Sequence, residues 1–406
     1  MPAPIHAREL FDGHRWHDGV RFTMFGGRIG QLDSSARPEP GDEPVACVMP
    51  GLVDCGAVAT GYTERPTDDP FRPERAFAKL CLRYGVTTVI DLGSSLPVAA
   101  YLGRSGQPGP RMVHSGGRLV SVARTRNDIV VDATTVQTVL DTLTAARCPV
   151  LAVGAITDRQ TENTIVRHAR RRGLSIAWSA RTADVDLPGW LWSVHPATVP
   201  RAPALGFTAP VDDEMLVAPE LEACARYTVD GLTDATEAWI AAPVLPYARH
   251  FAQSKGRQGR RIARQVLEPV YGDRHGEDLG PFRPIEVARA AGDGRCLTAS
   301  GAGRAGLVPG LSLWAEAQRI HDLGTDEHEA LHAATGAVGA LGIRGVGTIR
   351  EGGPADVLLF RSQPVVDGRL DHEGLSDVLV KGVRHRIAEI AHEVDELTRQ
   401  TFAETS

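Results

Sequence analysis

Lysine is almost missing from this 406-residue chain. Of its 44 basic residues only Lys79, Lys255 and Lys381 are lysine, which leaves 41 arginines. GC-rich coding accounts for the bias, and it leaves very few candidates for any chemistry that requires a lysine. Long apolar runs are also missing. None reaches the roughly 18 residues of a membrane-spanning helix, so no such span is expected. Met1 to Trp16 is polar and carries His and Arg, so no secretory signal peptide is expected in it. There is no excess of positive charge: the net charge is −6, so neither nucleic acid nor an anionic membrane is an expected partner. The six cysteines (47, 55, 81, 148, 224 and 296) contain no CxxC pair. That excludes a zinc cluster of paired cysteines and points to reduced thiols in a cytoplasm rather than a disulfide frame. The 43 glycines and 27 prolines are dispersed and form no linker.

What is present is a change of texture along the chain. The first 50 residues read as short strands at 8–13, 20–25 and 28–32, with Gly26-Gly27 as a hairpin turn. From Pro50 onward apolar strands alternate with helices. Pro73–Tyr84 is helical, Gly85 stops it, and Val86–Ile90 is a buried strand ending in Asp91-Leu92-Gly93. Thr161–Arg172, Gly173 and Leu174–Trp178 repeat the pattern. Repeated helix–Gly–strand units imply a parallel sheet with helices outside it, and about 290 such residues suit a (β/α)₈ barrel. Near Arg344 the texture returns to β at 347–349, 355–360 and 378–383. The expected fold class is therefore α/β: a (β/α)₈ barrel over 51–344, plus a small β-sandwich composed of 1–50 and 345–406. The Arg-rich stretch 212–295 shows strand rhythm only around 238–244 and is expected to include a lid over the barrel mouth.

Several motifs carry a family resemblance. Pro50-Gly51-Leu52-Val53-Asp54-Cys55-Gly56-Ala57-Val58 resembles the first barrel strand of the amidohydrolase superfamily, P-G-[LI]-[IV]-D-x-H-x-H. Tyr84–Gly93 is similar to the second strand of its imidazolonepropionase-like branch, and Gly109-Pro110-Arg111 to the start of the third. Val308–Leu313, Glu329–Thr335, Gly347–Ile349, Gly352–Val357 and Gly382 follow in the family's order. The resemblance covers nearly the whole chain and implies the barrel-plus-sandwich fold; it does not by itself imply the function.

The family's metal ligands do not carry over. Its two strand-one histidines fall on Gly56 and Val58. Its bridging lysine falls near Leu151, its strand-five histidine on Ser179, and its strand-eight aspartate within Ala299-Ser300-Gly301. Only the strand-six histidine is kept, as His195 in Gly189–His195. A catalytic divalent ion needs about three protein ligands. Such an ion lowers the pKa of water from about 15.7 to about 7, worth up to about 12 kcal/mol in generating hydroxide. A lone general base supplies roughly 3–5 kcal/mol, too little to hydrolyse an unactivated amide.

The candidate site is read as follows. His195 is the acid/base, with Ser179 and His114 as hydrogen-bonding neighbours in the catalytic group. Arg181 is inward by alternation with Ser179 and anchors an anion, while Tyr62, Arg118 and Arg124 are further substrate-binding candidates. Against each stands a structural role, above all a salt bridge or a solvated face. Trp178, Trp190 and Trp192 alternate with inward positions and are expected to pack under helices. His328-Glu329-Ala330-Leu331-His332 matches H-E-x-x-H, but it falls in the family's helix after the eighth strand, so its histidines are expected to be solvated rather than zinc ligands. The leading expectation is a metal-independent enzyme doing elimination, isomerisation or cyclisation on a small anionic substrate, in specialised metabolism. It needs no metal or other cofactor. The alternatives are a non-catalytic pseudoenzyme that binds a ligand or partner, and a metal-dependent C–N hydrolase with displaced ligands. A small-molecule substrate is the expected partner; a homo-oligomer is left open.

Overall fold

The computed structural model describes residues 3–59, 72–104, 108–123, 127–179, 205–208, 215–218, 291–302 and 308–403. The chain opens with strands β1 (Ile5–Phe11), β2 (Trp16–Phe25), β3 (Arg28–Asp33) and β4 (Glu43–Pro50). Gly26 and Gly27 turn β2 into β3 with φ of 59° and 76°, the left-handed pair that a tight two-residue hairpin needs. Next come β5 (Leu52–Ala57), helix α1 (Arg72–Arg83), β6 (Val86–Asp91), α2 (Leu96–Arg104), β7 (Arg111–His114), β8 (Arg118–Val120) and β9 (Asp128–Val130). They are followed by α3 (Val136–Ala145), β10 (Val150–Val153), α4 (Arg159–Arg172), β11 (Ser175–Ser179), β12 (Leu205–Thr208) and β13 (Met215–Ala218). After the described 291–302 come α5 (Leu311–Asp322), α6 (Glu327–Ala333), β14 (Val357–Phe360), a ribbon of β15 (Val365–Val366) and β16 (Arg369–Leu370), β17 (Leu375–Val380), β18 (Val383–Arg386) and α7 (Ile387–Ala403).

Both ends of the chain share one seven-stranded sheet, ordered β18-β17-β14-β4-β1-β2-β3. β4 and β14 are its seam, paired antiparallel from Cys47–Phe360 to Pro50–Val357. Asp356, 4% exposed, pins this seam to the neighbouring parallel strands. Its carboxylate accepts from Arg111 Nη2 (3.1 Å) and the Lys381 amide, and its carbonyl accepts from the Gly51 amide. Helix α7 then lies along α1, held by the Lys79–Glu393 pair and by Ile390 and Val394 in the apolar core.

The parallel strands follow. β5, β6 and β7 pair in that order, and β8, β10 and β11 form a second parallel run. The stops are those read in the sequence: Gly85 has φ of 80°, and Gly173 caps α4 at φ 64°, ψ 36°. Asp158 starts α4, its carboxylate accepting from the Gln160 and Thr161 amides. The extended segment 296–302 runs beside β5, with Cys55 N donating to Thr298 O (2.9 Å), Gly301 N to Gly56 O (2.9 Å) and Val58 N to Ala302 O (2.8 Å). Val53, Cys55, Ile90, Leu92, Val113, Val150, Ala152, Ala177, Leu297 and Ala299 pack into one cluster fed by β5, β6, β7, β10, β11 and the 296–302 segment. The opposite faces of β10 and β11 pack under α3 and α4, and Trp178 lies there with Leu140, Leu143 and Ile165, as the alternation expects.

Four features differ from the sequence reading. β13 lies inside the stretch 212–295, and with β12 it extends the sheet antiparallel from β11. Residues 347–349 are not a strand: Gly347 has φ of 69°, and a Cβ there would stand 2.1 Å from Thr335 O. β18 and α7 follow the last strand expected. His332 is half-buried rather than solvated, its Nδ1 donating to Gly13 O at 2.6 Å and its ring 4.8 Å from that of His14; only His328 is exposed. Among the described residues, no helix is long and apolar enough to cross a membrane.

Candidate functional site

In a parallel sheet of this kind chemistry collects at the carboxyl ends of the strands, because the loops there can carry reactive groups over a rigid base. At the end of β5, Gly56 and Val58 stand where the resemblance places two histidines. Gly56 offers only its backbone, and its carbonyl accepts from the amide of Gly301. Val58 is half-buried, and a Cβ on Gly93 would meet both of its γ-methyls at 2.9 Å. Neither side chain has a donor atom. Leu151 on β10 is fully buried against α3 and α4, on the face away from the central cluster. The described lysines are elsewhere: Lys79 sits on α1 beside Glu393, and Lys381 in the β17–β18 turn.

Polar ties hold the strands to one another below this end. Asp54, fully buried, accepts from the Gly56 amide (3.1 Å), the Ser300 amide (3.0 Å) and the Ser300 hydroxyl. Asp91, also fully buried, accepts through Oδ1 from the Gly93 and Ser94 amides, 3.2 and 3.0 Å away. Burial raises its pKa above the usual carboxylate value, opposed by these hydrogen bonds.

The sequence candidates fall in different places. His114 ends β7 in register with Asp91. Its neighbour Val113 belongs to the central cluster, whereas His114 Nδ1 lies 3.5 Å from Cys148 Sγ, a residue packed with Leu140 and Leu143 of α3. Burial lowers the His114 pKa, and the Asp91 charge pulls it the other way. Cys148 is pushed up to about 11 by burial, so the pair is a neutral thiol beside a neutral imidazole, without the thiolate a nucleophile requires. Arg118 forms a two-point pair with Asp128 (Nε–Oδ1 3.0 Å, Nη2–Oδ2 3.2 Å) that fastens β9 to β8. The structural role weighed against Arg118 from sequence was a solvated face; the salt bridge to Asp128 was not foreseen. Ser179 ends β11 opposite Leu205 of β12. His195, Arg181, Tyr62 and Arg124 lie outside the described residues. The structure thus brings together the strand ends at 56–58, 91–94 and 300–302, while His114 and Arg118 are engaged with Cys148 and Asp128. Sequence reasoning missed the Asp54–Ser300 tie; its signal was Asp54 in the first-strand motif, an acid in an apolar strand that needs buried partners.

Neither protein-family models nor curated proteins match the chain. Solved structures do. The ochratoxinase of A. niger is 16% identical over 94% of this chain and 95% of its own, with a TM-score of 0.60. Molinate hydrolase is 15% identical over 95% of both chains, with a TM-score of 0.62. Bottromycin amidohydrolase is 17% identical over 97% of this chain and 88% of its own, with a TM-score of 0.60. The chain is an α/β protein whose fold matches the amidohydrolase architecture of a barrel with a β-sandwich. At these identities the likeness shows the fold alone.

Proposed function

We propose that this chain is an enzyme that works on the amidohydrolase-like scaffold without a resident divalent metal. The observation that carries the reading is the chemistry of the strand ends. Gly56 and Val58 end the first parallel strand without a donor atom, Leu151 faces the helices, and Gly301 is bound through its backbone to Gly56. Among the described residues, that donor set does not fit a centre that needs about three protein ligands. The reaction class is then proton transfer assisted by positioning: elimination, isomerisation or cyclisation of a small anionic organic substrate, in specialised metabolism. His195 is the acid/base and Arg181 the anion anchor, with Ser179 as a hydrogen-bonding neighbour. His114 and Arg118 act at most from behind the strands, through Cys148 and Asp128.

The test is a panel of small carboxylates and phosphates, scored by thermal stabilisation, followed by turnover of the compounds that bind. His195→Ala lowers turnover by about 10²–10⁴, the range for losing a general acid or base. Arg181→Ala weakens binding and spares the chemical step. Full activity in both variants makes the assignment wrong.

A further inference from the structure

At the amino ends of β10 and β11 the chain gathers positive charge that the parallel strands do not use. Helices α3 and α4 pack along each other and lead into these two strands. Thr144 Oγ1 and His168 Nε2, 2.9 Å apart, join the helix ends. Both helices close with the same pair of backbone bonds. After α3, Arg147 N donates to Thr144 O and Cys148 N to Leu143 O; after α4, Gly173 N donates to Arg170 O and Leu174 N to Ala169 O. Such a closure takes one left-handed residue, glycine by preference. The α4 closure has Gly173 at φ 64°, whereas the α3 closure has Arg147 at φ 59°, held there against the backbone's preference. Arg170, Arg171 and Arg172 fill the last turn of α4, and all four arginines are exposed. Among the described residues, Arg147, Arg171 and Arg172 have no carboxylate partner. Burial lowers the pKa of His168, Asp141 opposes it, and Arg172 and Arg171 add to it, so both guanidiniums lie near the Thr144–His168 tie. Helix dipoles favour a cation at each end, but three in succession on α4 beside a fourth after α3 repel one another while nothing anionic covers them.

We propose that the paired ends of α3 and α4 dock an acidic peptide segment of a partner protein, with Arg147, Arg171 and Arg172 binding its carboxylates. This surface lies at the amino ends of the strands, opposite the candidate site, so its occupant leaves that site open and its role is independent of the reaction. A guanidinium holds a carboxylate by two parallel hydrogen bonds. Packed helices lie about 8–10 Å apart. Carboxylates two or three residues apart on an extended segment span that distance at about 3.3 Å per residue. Other polyanions fit less well. A DNA duplex carries one negative charge per about 1.7 Å, and it would reach past the patch over a chain whose net charge is −6. No Phe, Tyr or Trp lies between 136 and 174 to stack on bases. The exposed large apolar side chains of the described residues, Phe25, Val122, Val130, Val366 and Val383, all lie outside α3 and α4, so no apolar anchor accompanies the charge for a membrane.

The experiment titrates the full chain with octaglutamate by calorimetry, with a short DNA duplex and phosphatidylserine vesicles as competing probes. Octaglutamate is expected to bind saturably at a single site. It is expected to bind about tenfold more weakly to an Arg147→Gly, Arg171→Gln, Arg172→Gln triple variant, the sum of three exposed pairs. Arg147→Gly alone is expected to weaken binding while melting no lower than wild type, because glycine suits this φ. Arg159→Gln, at the exposed start of the same helix roughly 20 Å away, is expected to leave binding unchanged. Absence of saturable octaglutamate binding, equal affinity in wild type and the triple variant, or an equal loss in Arg159→Gln overturns the docking surface. Tighter binding of the duplex or the vesicles, abolished by the same triple variant, overturns the acidic peptide as its occupant.

Discussion

The seam between the chain ends and the carboxyl ends of the parallel strands use polar side chains in opposite ways. At the seam, groups hundreds of residues apart are tied by charge and hydrogen bond: Arg111 to Asp356, Lys79 to Glu393, His332 to Gly13. At the strand ends the positions that carry histidines in the resembling family hold Gly56 and Val58, and the remaining polar groups point into backbone ties such as Asp54 with Ser300. The lesson concerns what each region must keep. The seam holds the fold, and removing Asp356 there takes the acceptor from the Arg111 guanidinium and the Lys381 amide. The strand ends carry the account's proposal, that the chain works there without a resident metal.

Breaking the seam is therefore expected to be far more costly than altering the strand ends. The largest effect is deletion of residues 1–45, which removes β1, β2 and β3 and the first three of the eight residues of β4. The remaining 46–50 stretch keeps its pairing with β14 but loses β1 on its other side, and the product is expected to be insoluble. A soluble truncation with a cooperative melting transition would show that the two regions are independent. Next comes Asp356→Ala, which strands Arg111 and the Lys381 amide together. A cost of about 3 kcal/mol is expected in chemical denaturation, at the low end for a broken buried pair because Arg111 keeps some contact with water. Asp158→Ala removes the α4 cap and should cost about 1 kcal/mol by the same measurement.

The smallest effects, per residue, are protonic. His114, His168, His332, His372 and His385 all have pKa values lowered by burial below the ordinary 6.5. The unfolded chain therefore binds protons at these sites before the folded one does. Their contribution is fully present above about pH 6.5 and is lost as pH falls below it. Melting temperature should decline from pH 7 to pH 5 and flatten in a His168→Gln, His332→Gln double variant. A melting temperature that rises over that interval would contradict the assignment.

Much of the fold was legible because its signals are local. Gly85 and Gly173 sit at left-handed helix stops, and the apolar runs after them can only be buried strands. What was missed depends on distant partners or on weak local pattern. Residues 347–349 look like a strand but are bent by Gly347 against Thr335. β13 is four residues long and gains its identity only by pairing with β12. Helix α7 did carry a signal, with Ile387, Ile390 and Val394 at helical spacing, and that stripe is what packs toward α1. For the site, the sequence showed that positions 56 and 58 carry no donor side chain, since Gly56 and Val58 can be read without coordinates. It could not show which way His114 faces or that Arg118 is engaged. Both facts come from the register of β7 with β6 and of β8 with β9.

The central claim, a working site without a resident metal, is tested most directly by elemental analysis of the purified full chain. Mass spectrometry of protein dialysed against buffer alone should find zinc, iron and manganese each well below one atom per chain. A chelator should leave both the melting temperature and ligand binding unchanged. One equivalent of any of these metals retained through dialysis, with stability or binding lost on chelation, would contradict the account.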